Sequence, residues 1–548
     1  MQSALHRGLR GLMTFLVLLA LARTPVASAQ DPSTDPRPAP PRAEGEGPFE
    51  RLVIRNATVI DGTGAPPRGP VDIVVERNRI TSVVAVGATA GDMRPAGRPL
   101  PATKEIDATG MYVLPGFIDL HVHNGDLPKT PESEYVYKLW LAHGITSARG
   151  VPFASPDFSA SEKARSARNE ITAPRMFTYR LPFDEWEGTI ESPEKARAWV
   201  QMAAKTGIDG IKLTAYPPDI MAALLDEAKK LGLGSTAHLS QQGVAEMNAI
   251  DAARLGLGTV THFYGIFESL YDGHDVQPFP PNHNHADEQQ RFAQVARQWN
   301  LIHKQGSPEW KALLAEFKSL NTILDPTMTA YLASRNVMYR RNEDWHEKYT
   351  LPSLWDFFSP SRTNHGSYYF DWTSWDEAAW RNFYRVWMDF LNDYKNMGGR
   401  VTVSSDAGYI YNTFGFSTIE EMELLQEAGF HPLEVIRGAT LHAAQALFEP
   451  KRKPIEFGVV RAGLLADLII VPENPVANLK VLYGTGAVRL NEKTGRPERV
   501  GGIKYTIKDG IIYDAHKLLD DVARMVAKQK TQLGIARLPT PEFPPNRR

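Results

Sequence analysis

Cysteine is absent from the 548 residues of this chain. Its absence excludes disulfides, thiolate metal ligands, a cysteine nucleophile and the lipid-modified cysteine of a bacterial lipoprotein. The fold therefore relies on its own core. Neither sign of charge is in excess, because 61 basic and 63 acidic residues give a formal net charge of −2. That balance argues against nucleic acid or an anionic membrane surface as the main partner.

The N-terminal apolar run, from Leu12 to Ala22, is too short to span a bilayer comfortably. Basic residues precede this run, and the small residues 27–29 fit a signal-peptide cleavage site. We therefore expect residues 1–29 to be a signal peptide and the mature protein to be exported, periplasmic or secreted, without a stable membrane anchor. Residues 30–48 are rich in proline, glycine and charge, which predicts a disordered linker.

Short β-type runs separated by turns occur near both ends of the chain. One set lies within residues 49–112 and the other within residues 455–515. We predict that the two sets pair into one small β-sandwich beside a central domain. Residues 516–548 are predicted to form an amphipathic helix and a proline-rich tail.

The centre of the chain, residues 113–454, alternates candidate strands with helical runs. Eight candidate strands occur in order, at residues 113–121, 145–150, 175–180, 209–214, 234–238, 258–263, 321–326 and 400–405. This alternation is typical of an α/β fold and predicts a (β/α)8 TIM barrel. Two long insertions interrupt it, near residues 266–320 and 329–399. In a TIM barrel the chemistry lies at the carboxyl ends of the strands, so the site is expected there.

Residues of metal-binding type stand at several of these strand ends. His121 and His123 alternate on the first strand, so their side chains project to the same side. An isolated His-x-His is more often a packed pair than a metal site. Here similar residues follow at later strand ends, namely Lys212, His238, His262 and Asp406. Six such residues at one predicted mouth indicate a metal centre.

The donor set suits a pair of ions. Four imidazoles and one carboxylate are enough ligands for two divalent metal ions. Lys212 as an ammonium would repel both ions. A neutral lysine amine can instead react with carbon dioxide to give a carbamate, whose two oxygens can bridge the metals; a buried pairing with a carboxylate is the alternative. Asp406 can bind a metal and take the proton from the attacking water.

Several stretches resemble the amidohydrolase superfamily, in its binuclear branch with a carboxylated lysine. They are Val113–His123, His143–Arg149, Gly210–Lys212, Gly438–Ala444 and Gly458–Leu468. The chain looks most like the imidazolonepropionase-like group, which includes prolidase-type and ochratoxinase-type amidohydrolases. The resemblance extends over roughly residues 50–515.

This resemblance implies a division of the ligands between two metal ions. His121, His123 and Asp406 would hold one ion, and His238 and His262 would hold the other. Asp406 would also shuttle the proton during hydrolysis.

The same resemblance implies that Lys212 is N6-carboxylated and bridges the ions, with zinc as the usual metal. The implied activity is that of an exported hydrolase that cleaves a C–N amide bond, in a dipeptide or an N-acyl amino acid, by metal-activated hydroxide. The alternatives are a hydrolase of cyclic amides, esters or lactones, and a metal-retaining binding protein without turnover. A deaminase fits less well, because the related mononuclear deaminases do not use a carboxylated lysine on this strand.

Three further residues are candidates for contact with a small-molecule substrate. Tyr216 follows the lysine strand and can donate a hydrogen bond to the carbonyl oxygen in the transition state; its alternative role is a packed loop aromatic. Tyr264, two residues beyond His262, has the same two interpretations. Arg180 ends the third strand and can hold a substrate carboxylate, or form a structural ion pair.

The second insertion is unusually aromatic, with six of the eleven tryptophans of the chain. They are Trp345, Trp355, Trp372, Trp375, Trp380 and Trp387. Such aromatics pack a helical excursion or line an apolar pocket, so we expect the insertion to roof the site and to favour a substrate with an aromatic or apolar part. A second His-x-His, His283 and His285, lies in a loop and is interpreted as unrelated to the site. A homo-oligomer is compatible with the sequence.

Overall fold

The computed structural model describes residues 35–86, 98–182, 186, 188–274, 276–362 and 364–540. The predicted signal peptide, the first five residues of the predicted linker and the end of the predicted tail lie outside these ranges. Within the described ranges, none of the helices combines the length and the apolar character that crossing a membrane requires.

Eight parallel strands form the central sheet, and each strand pairs with the next one along the chain. Their bounds are β6 (Phe117–Val122), β7 (Ile145–Gly150), β8 (Arg175–Arg180), β9 (Gly210–Leu213), β10 (Gly234–Ala237), β11 (Thr259–Thr261), β12 (Ile323–Asp325) and β13 (Arg400–Val401). Beyond β13, the backbone N–H of Asp406 donates to the carbonyl of His121 at 2.9 Å, which joins the last strand to the first. The predicted TIM barrel is confirmed.

Helices connect these strands and build both insertions. Those between β6 and β11 are α1 (Ser133–Ala142), α2 (Pro156–Ala167), α3 (Pro193–Lys205), α4 (Pro218–Lys230) and α5 (Ala249–Arg254). Those between β11 and β13 are α6 (Glu288–Val295), α7 (Pro308–Ser319), α8 (Leu332–Arg341), α9 (His346–Tyr349), α10 (Pro352–Phe357) and α11 (Ser374–Asn396). Those after β13 are α12 (Phe416–Glu427), α13 (Pro432–Arg437), α14 (Ala443–Phe448) and α15 (Ala515–Leu533). Serine caps followed by proline start α2, α3 and α7, which fixes where these helices begin.

Both ends of the chain contribute to a second, mixed sheet. Its strands are β1 (Leu52–Val59), β2 (Arg68–Glu76), β3 (Arg79–Ala85), β4 (Lys104–Asp107), β5 (Tyr112–Pro115), β14 (Leu468–Val471), β17 (Tyr505–Lys508) and β18 (Ile511–Asp514). The N-terminal β5 lies antiparallel to the C-terminal β14. A separate hairpin consists of β15 (Ala487–Asn491) and β16 (Arg496–Val500). The predicted pairing of the two chain ends is therefore confirmed.

The first predicted barrel strand divides at Gly116 between the two sheets. Residues before this glycine form β5 of the terminal sheet, and residues after it form β6 of the barrel. A Cβ atom at Gly116 would lie 2.2 Å from Oγ1 of Thr146. Glycine is therefore the residue that lets the chain pass this tightly from one sheet to the other.

Residues 35–48, which the composition predicts to be disordered, lie against the barrel and the terminal sheet. The backbone N–H of Arg37 donates to the carbonyl of Pro131 at 2.9 Å, and Ala39 is only 4% exposed. Glu44 accepts a hydrogen bond at 2.7 Å from Lys138, which is almost fully buried. The prediction of disorder is wrong for these residues, because their partners lie about 90 positions or more away in sequence and composition cannot reveal them.

The aromatic insertion packs as a helical layer over the carboxyl side of β11 and β12. Trp380 and Trp387 on α11 are fully buried, whereas Trp375 at the start of that helix is 75% exposed. Phe263, next to the predicted ligand His262, lies 5.0 Å from the ring centre of Trp387. Most of this aromatic surface is therefore packing, in contact with the loop that carries His262.

Candidate metal centre

His121 on β6 and His123 directly after it meet Asp406 at the carboxyl end of the barrel. Nε2 of His121 lies 3.7 Å from Oδ1 of Asp406, and Nε2 of His123 lies 3.3 Å from the same oxygen. The three potential ligand atoms lie within 4.8 Å of one another. Side chains alternate along an extended chain, so both imidazoles lie on one side, and the hydrogen bond from the backbone N–H of Asp406 to the carbonyl of His121 brings the carboxylate to them.

Three more predicted ligands complete the cluster. Nε2 of His262 lies 3.0 Å from Nδ1 of His238 and 3.7 Å from Oδ2 of Asp406. Nζ of Lys212 lies 3.1 Å from Nε2 of His121. The structure therefore brings together all six residues that the sequence predicts as metal ligands.

Hydrogen bonds behind the imidazoles fix two of the tautomers. Nδ1 of His123 lies 3.0 Å from the carbonyl oxygen of Pro152, which can only accept, so this nitrogen carries the proton. Nδ1 of His262 lies 2.5 Å from Oγ1 of Thr327, whose hydroxyl donates to the carbonyl of Pro326 at 2.6 Å. Both arrangements leave the lone pair of Nε2 directed at the centre, as a metal ligand requires.

Burial sets the charge states of the cluster. Burial lowers the pKa values of His121 and His238 well below the ordinary value, and lowers that of His262 to about 3. Burial also acts to raise the pKa of Asp406, but the facing imidazoles hold it well below its usual range. Burial lowers the pKa of Lys212 to about 7. Neutral imidazoles around an ionised carboxylate are a donor set that suits a divalent metal.

One unsatisfied oxygen tests whether a metal fits here. Oδ1 of Asp406 is buried and accepts no hydrogen bond from the described residues, although it lies among imidazole nitrogens. A buried carboxylate oxygen without a donor is costly, and a divalent ion in this position would satisfy it. The residues present therefore fit a metal centre.

Three residues that follow neighbouring strands at this end of the barrel have a strained backbone. His262, Thr327 and Asp406 have φ values of 64°, 51° and 48°, in the left-handed region that residues other than glycine rarely adopt. They follow β11, β12 and β13, which are neighbours in the barrel. Strain of about 1–3 kcal/mol per residue is usually retained at functional sites, where it aims side chains.

A buried ion pair lies inside the barrel below the cluster, and the sequence reasoning assigned it no role. Arg149 of β7 and Asp325 of β12 are both fully buried, with 3.3 Å between Nη2 and Oδ2. Oδ1 of Asp325 also accepts hydrogen bonds from Thr402 at 2.7 Å and Ser404 at 2.5 Å. The sequence signal for this ion pair was a charged residue inside each of two predicted strands, because buried charges are usually paired.

The predicted substrate residues lie in three different settings. Tyr264 stacks on His238 with 4.8 Å between ring centres, and its hydroxyl lies 3.0 Å from that of Tyr331, which sequence reasoning missed. Tyr216 is buried on the loop after β9 and packs in the main hydrophobic core. Arg180 lines a cavity of about 230 Å³ between β8 and α2.

The second His-x-His lies apart from this cluster. His283 and His285 occupy a surface loop and face each other at 3.4 Å between ring nitrogens. Among the described residues, His121, His123 and Asp406 form a group of three side chains that could hold one metal ion, and this loop is not part of it.

The barrel and its strand-end histidines define a TIM-barrel protein with a candidate metal centre. Residues 112–278 match the amidohydrolase family model. The dihydroorotase of Thermus aquaticus is 26% identical over 199 residues, which are 35% of this chain and 42% of that protein. The N-acyl-D-glutamate deacylase of Alcaligenes xylosoxydans xylosoxydans is 28% identical over 220 residues, 36% of this chain and 40% of that protein. The chain thus spans about two fifths of the length of these curated relatives.

Solved structures extend the likeness to most of the fold. A Xaa-Pro dipeptidase with bound methionine has a TM-score of 0.55 at 18% identity, over 85% of this chain and all of that chain. The ochratoxinase of A. niger has a TM-score of 0.53 at 15% identity, over 85% of this chain and 96% of that chain. At these identities the likeness shows the fold alone. The match to the amidohydrolase family model is confined to residues 112–278, and beyond this segment the likeness is one of fold.

Proposed function

We propose that this protein is a metal-dependent hydrolase that cleaves a C–N amide bond in a dipeptide or an N-acyl amino acid. The observation that carries the proposal is the convergence of four imidazoles, Asp406 and Lys212 at the carboxyl ends of the barrel strands. The names of its relatives support it, since they include an N-acyl-D-glutamate deacylase and, among structures of this fold, a Xaa-Pro dipeptidase.

Two divalent ions are proposed, with zinc as the usual metal of the family. His121, His123 and Asp406 would hold one ion, and His238 and His262 the other. Such ions polarise a carbonyl group and lower the pKa of a water molecule. The tautomers of His123 and His262 support this assignment, because each presents an unprotonated Nε2 to the centre.

Carboxylation of Lys212 is the second part of the proposal. Burial lowers its pKa to about 7, so near neutral pH a substantial fraction of the amine is uncharged and nucleophilic. The nitrogen attacks the carbon of carbon dioxide and loses one proton, which yields a carbamate with one negative charge. This reaction replaces a cation that would repel metal ions by an anion that binds them.

Asp406 is proposed to move the proton of the reaction. Its carboxylate is held ionised, so it can accept a proton from the attacking water and deliver it to the leaving nitrogen. The left-handed backbone at φ 48° fixes the direction of this side chain. Tyr216 and Tyr264 are the proposed hydrogen-bond donors to the substrate, and Tyr264 is held by its stacking on His238.

The metal content of purified protein tests the centre directly. Wild type is expected to bind two metals per chain, and Lys212→Ala clearly fewer. One metal per chain, unaffected by this substitution, would make Lys212 structural and favour a mononuclear site of the deaminase type.

Hydrolysis of a panel of dipeptides and N-acyl amino acids is expected in wild type and not in Asp406→Asn. Metal binding without turnover of any panel member would favour a binding protein.

Cyclic amides are the second candidate substrates. The dihydroorotase among the relatives favours this class. The same metal centre would serve both substrate classes, so turnover has to separate them. Five- and six-membered cyclic amides are therefore included in the same panel. Turnover of cyclic amides together with inertness towards linear ones would replace the first proposal by the second.

We also propose that the protein acts after export. The support is the basic start, the short apolar run and the small-residue cleavage site of residues 1–29. Mass spectrometry of the protein from an expressing bacterium tests this, with a mature chain that begins at Gln30 expected outside the cytoplasm. An uncleaved chain in the cytoplasm would contradict it.

A further inference from the structure

A lysine ammonium lies where two loops and the end of a helix meet. Lys129 belongs to the loop after β6, Tyr409 to the loop after β13, and Phe357 ends α10 of the aromatic insertion. Nζ of Lys129 lies 4.5 Å from the ring centre of Tyr409 and 4.6 Å from that of Phe357. The lysine is only 6% exposed, so its charge is held in largely desolvated surroundings.

Tyr409 connects this lysine with the metal centre. Its ring meets that of the ligand His123 edge to face, with 6.1 Å between ring centres. Tyr409 also follows the ligand Asp406 by three residues on the same loop. Lys129 and His123 therefore both contact one aromatic ring, which places the ammonium about one side chain away from the metal ligands.

The ammonium retains capacity for a further anionic partner. The carboxylate oxygen Oδ1 of Asp126 lies 3.3 Å from Nζ, longer than the 2.7–2.9 Å that is typical of a charge-assisted hydrogen bond. An ammonium has three N–H donors, so beside Asp126 and the side chain of Tyr409, with which it also forms a hydrogen bond, it can bind one further carboxylate. Burial acts to lower the pKa of Lys129, but Tyr409, Asp126 and Asp406 together raise it above its ordinary value, so the side chain stays charged.

We propose that Lys129 binds an anionic group of the substrate, most simply a free carboxylate, and thereby restricts the enzyme to amides that carry one. This inference rests on the proposed amide hydrolysis at the neighbouring centre. Tyr409 and Phe357 would then flank the bound group with apolar surface. Arg180, the carboxylate-binding residue predicted from the sequence, lines the cavity between β8 and α2, so variants of Lys129 and of Arg180 test two separate hypotheses.

A matched pair of substrates tests the inference. An N-acyl amino acid is compared with its decarboxylated analogue, the corresponding N-acyl amine, using metal-loaded wild type, Lys129→Met and Lys129→Arg. Lys129→Met is expected to lower kcat/KM for the acid about 10- to 100-fold, mainly through KM, as loss of a charge-assisted hydrogen bond predicts. The analogue should be unaffected, and Lys129→Arg should retain most of the preference. The same comparison in Arg180→Met tests the arginine predicted from the sequence, and a preference that is lost there but kept in Lys129→Met would overturn the inference.

Binding of the same two compounds, measured by calorimetry, separates this inference from the proposed function. Tighter binding of the acid that is lost in Lys129→Met, without turnover of either compound, would support Lys129 while rejecting amide hydrolysis. Equal binding of the two compounds by wild type would overturn the inference. Equal losses for both compounds in Lys129→Met would also overturn it, because a purely structural role predicts that result.

Discussion

Thr327 holds the imidazole of His262 from behind and has a strained backbone. Its hydroxyl accepts from Nδ1 of His262 and donates to the carbonyl of Pro326, so it fixes both the tautomer and the direction of the ring. Its φ of 51° is unusual for a β-branched residue. A side chain that is kept in a costly conformation to orient a predicted ligand indicates a positioning role at the metal centre.

Replacing this hydroxyl should weaken metal binding while the fold is retained. Thr327→Val keeps the β-branched shape and the same backbone demand but removes the acceptor, so we expect metal affinity to fall about 10- to 100-fold. Thr327→Ser keeps the hydroxyl and should retain most of the affinity. Competition with a chelator of known affinity measures both. Equal affinities for the Val and Ser variants would show that the hydroxyl does not orient His262.

A second prediction concerns acid stability and a histidine outside the metal centre. Burial lowers the pKa of His143 to about 4, and its Nδ1–H donates to the carbonyl of Leu139 at 2.8 Å. The unfolded chain binds the proton near pH 6.5, so the folded state loses stability as pH falls from about 6.5 towards 4. This one group should cost about 2 kcal/mol between pH 7 and pH 5.

The variant His143→Asn keeps a donor for Leu139 but does not titrate. Its free energy of unfolding should fall about 2 kcal/mol less than that of wild type between pH 7 and pH 5, as measured by chemical denaturation at the two pH values. His346, whose pKa burial lowers to about 3, remains in both proteins and cancels in the comparison. Parallel pH dependences would contradict the prediction.

The metal ligands could be predicted from the sequence, whereas the residues that position them could not. His121, His123 and Asp406 stand at strand ends, and the barrel rule alone brings strand ends together. The role of Thr327 depends on a left-handed backbone. That of Lys129 depends on the convergence of two loops and the end of α10. A strand pattern encodes neither. The role of Arg180 stays a prediction, because its place at the end of β8 and at a cavity does not test whether it binds a substrate carboxylate.

At the scale of elements, the strand centres were predictable and their boundaries depended on tertiary contacts. Helix α5 begins at Ala249, because the side chain of Asn248 accepts from the backbone N–H of Asp251 and caps the helix there. The last predicted strand, residues 400–405, keeps regular pairing only over Arg400–Val401. Its continuation donates side-chain hydrogen bonds to Asp325 instead, an interaction that local sequence does not show.

Gly116 is the element-scale feature with the clearest energetic consequence. Gly116→Ala would place a Cβ atom 2.2 Å from Oγ1 of Thr146, at the junction of β5 and β6. Such overpacking should lower the free energy of unfolding by about 1–3 kcal/mol. Gly258→Ala, where the nearest atom is 3.3 Å away, is the control and should cost less. Chemical denaturation of both variants decides, and equal losses would mean that the junction tolerates a side chain.

At the scale of the whole molecule, the metal centre connects much of the barrel. Two of its six predicted ligands lie on β6 and β9, and the other four follow β6, β10, β11 and β13. An ion bound only by the folded state therefore stabilises the barrel as a unit, since the unfolded chain does not bring these side chains together. The stability of the protein should consequently depend on the free metal concentration.

Metal removal tests this dependence, and the two His-x-His motifs of the chain provide the matched control. A chelator should lower the midpoint of thermal unfolding, and free zinc at about 100 times Kd should restore about 2.7 kcal/mol per site. The double variant His121→Ala, His123→Ala should lose most of this response. His283→Ala, His285→Ala should keep it, because that pair lies in a surface loop. Scans at one fixed rate, with and without zinc, compare the three proteins. If the zinc response is lost in the His283→Ala, His285→Ala variant but kept in the His121→Ala, His123→Ala variant, the stabilising metal site lies outside the barrel.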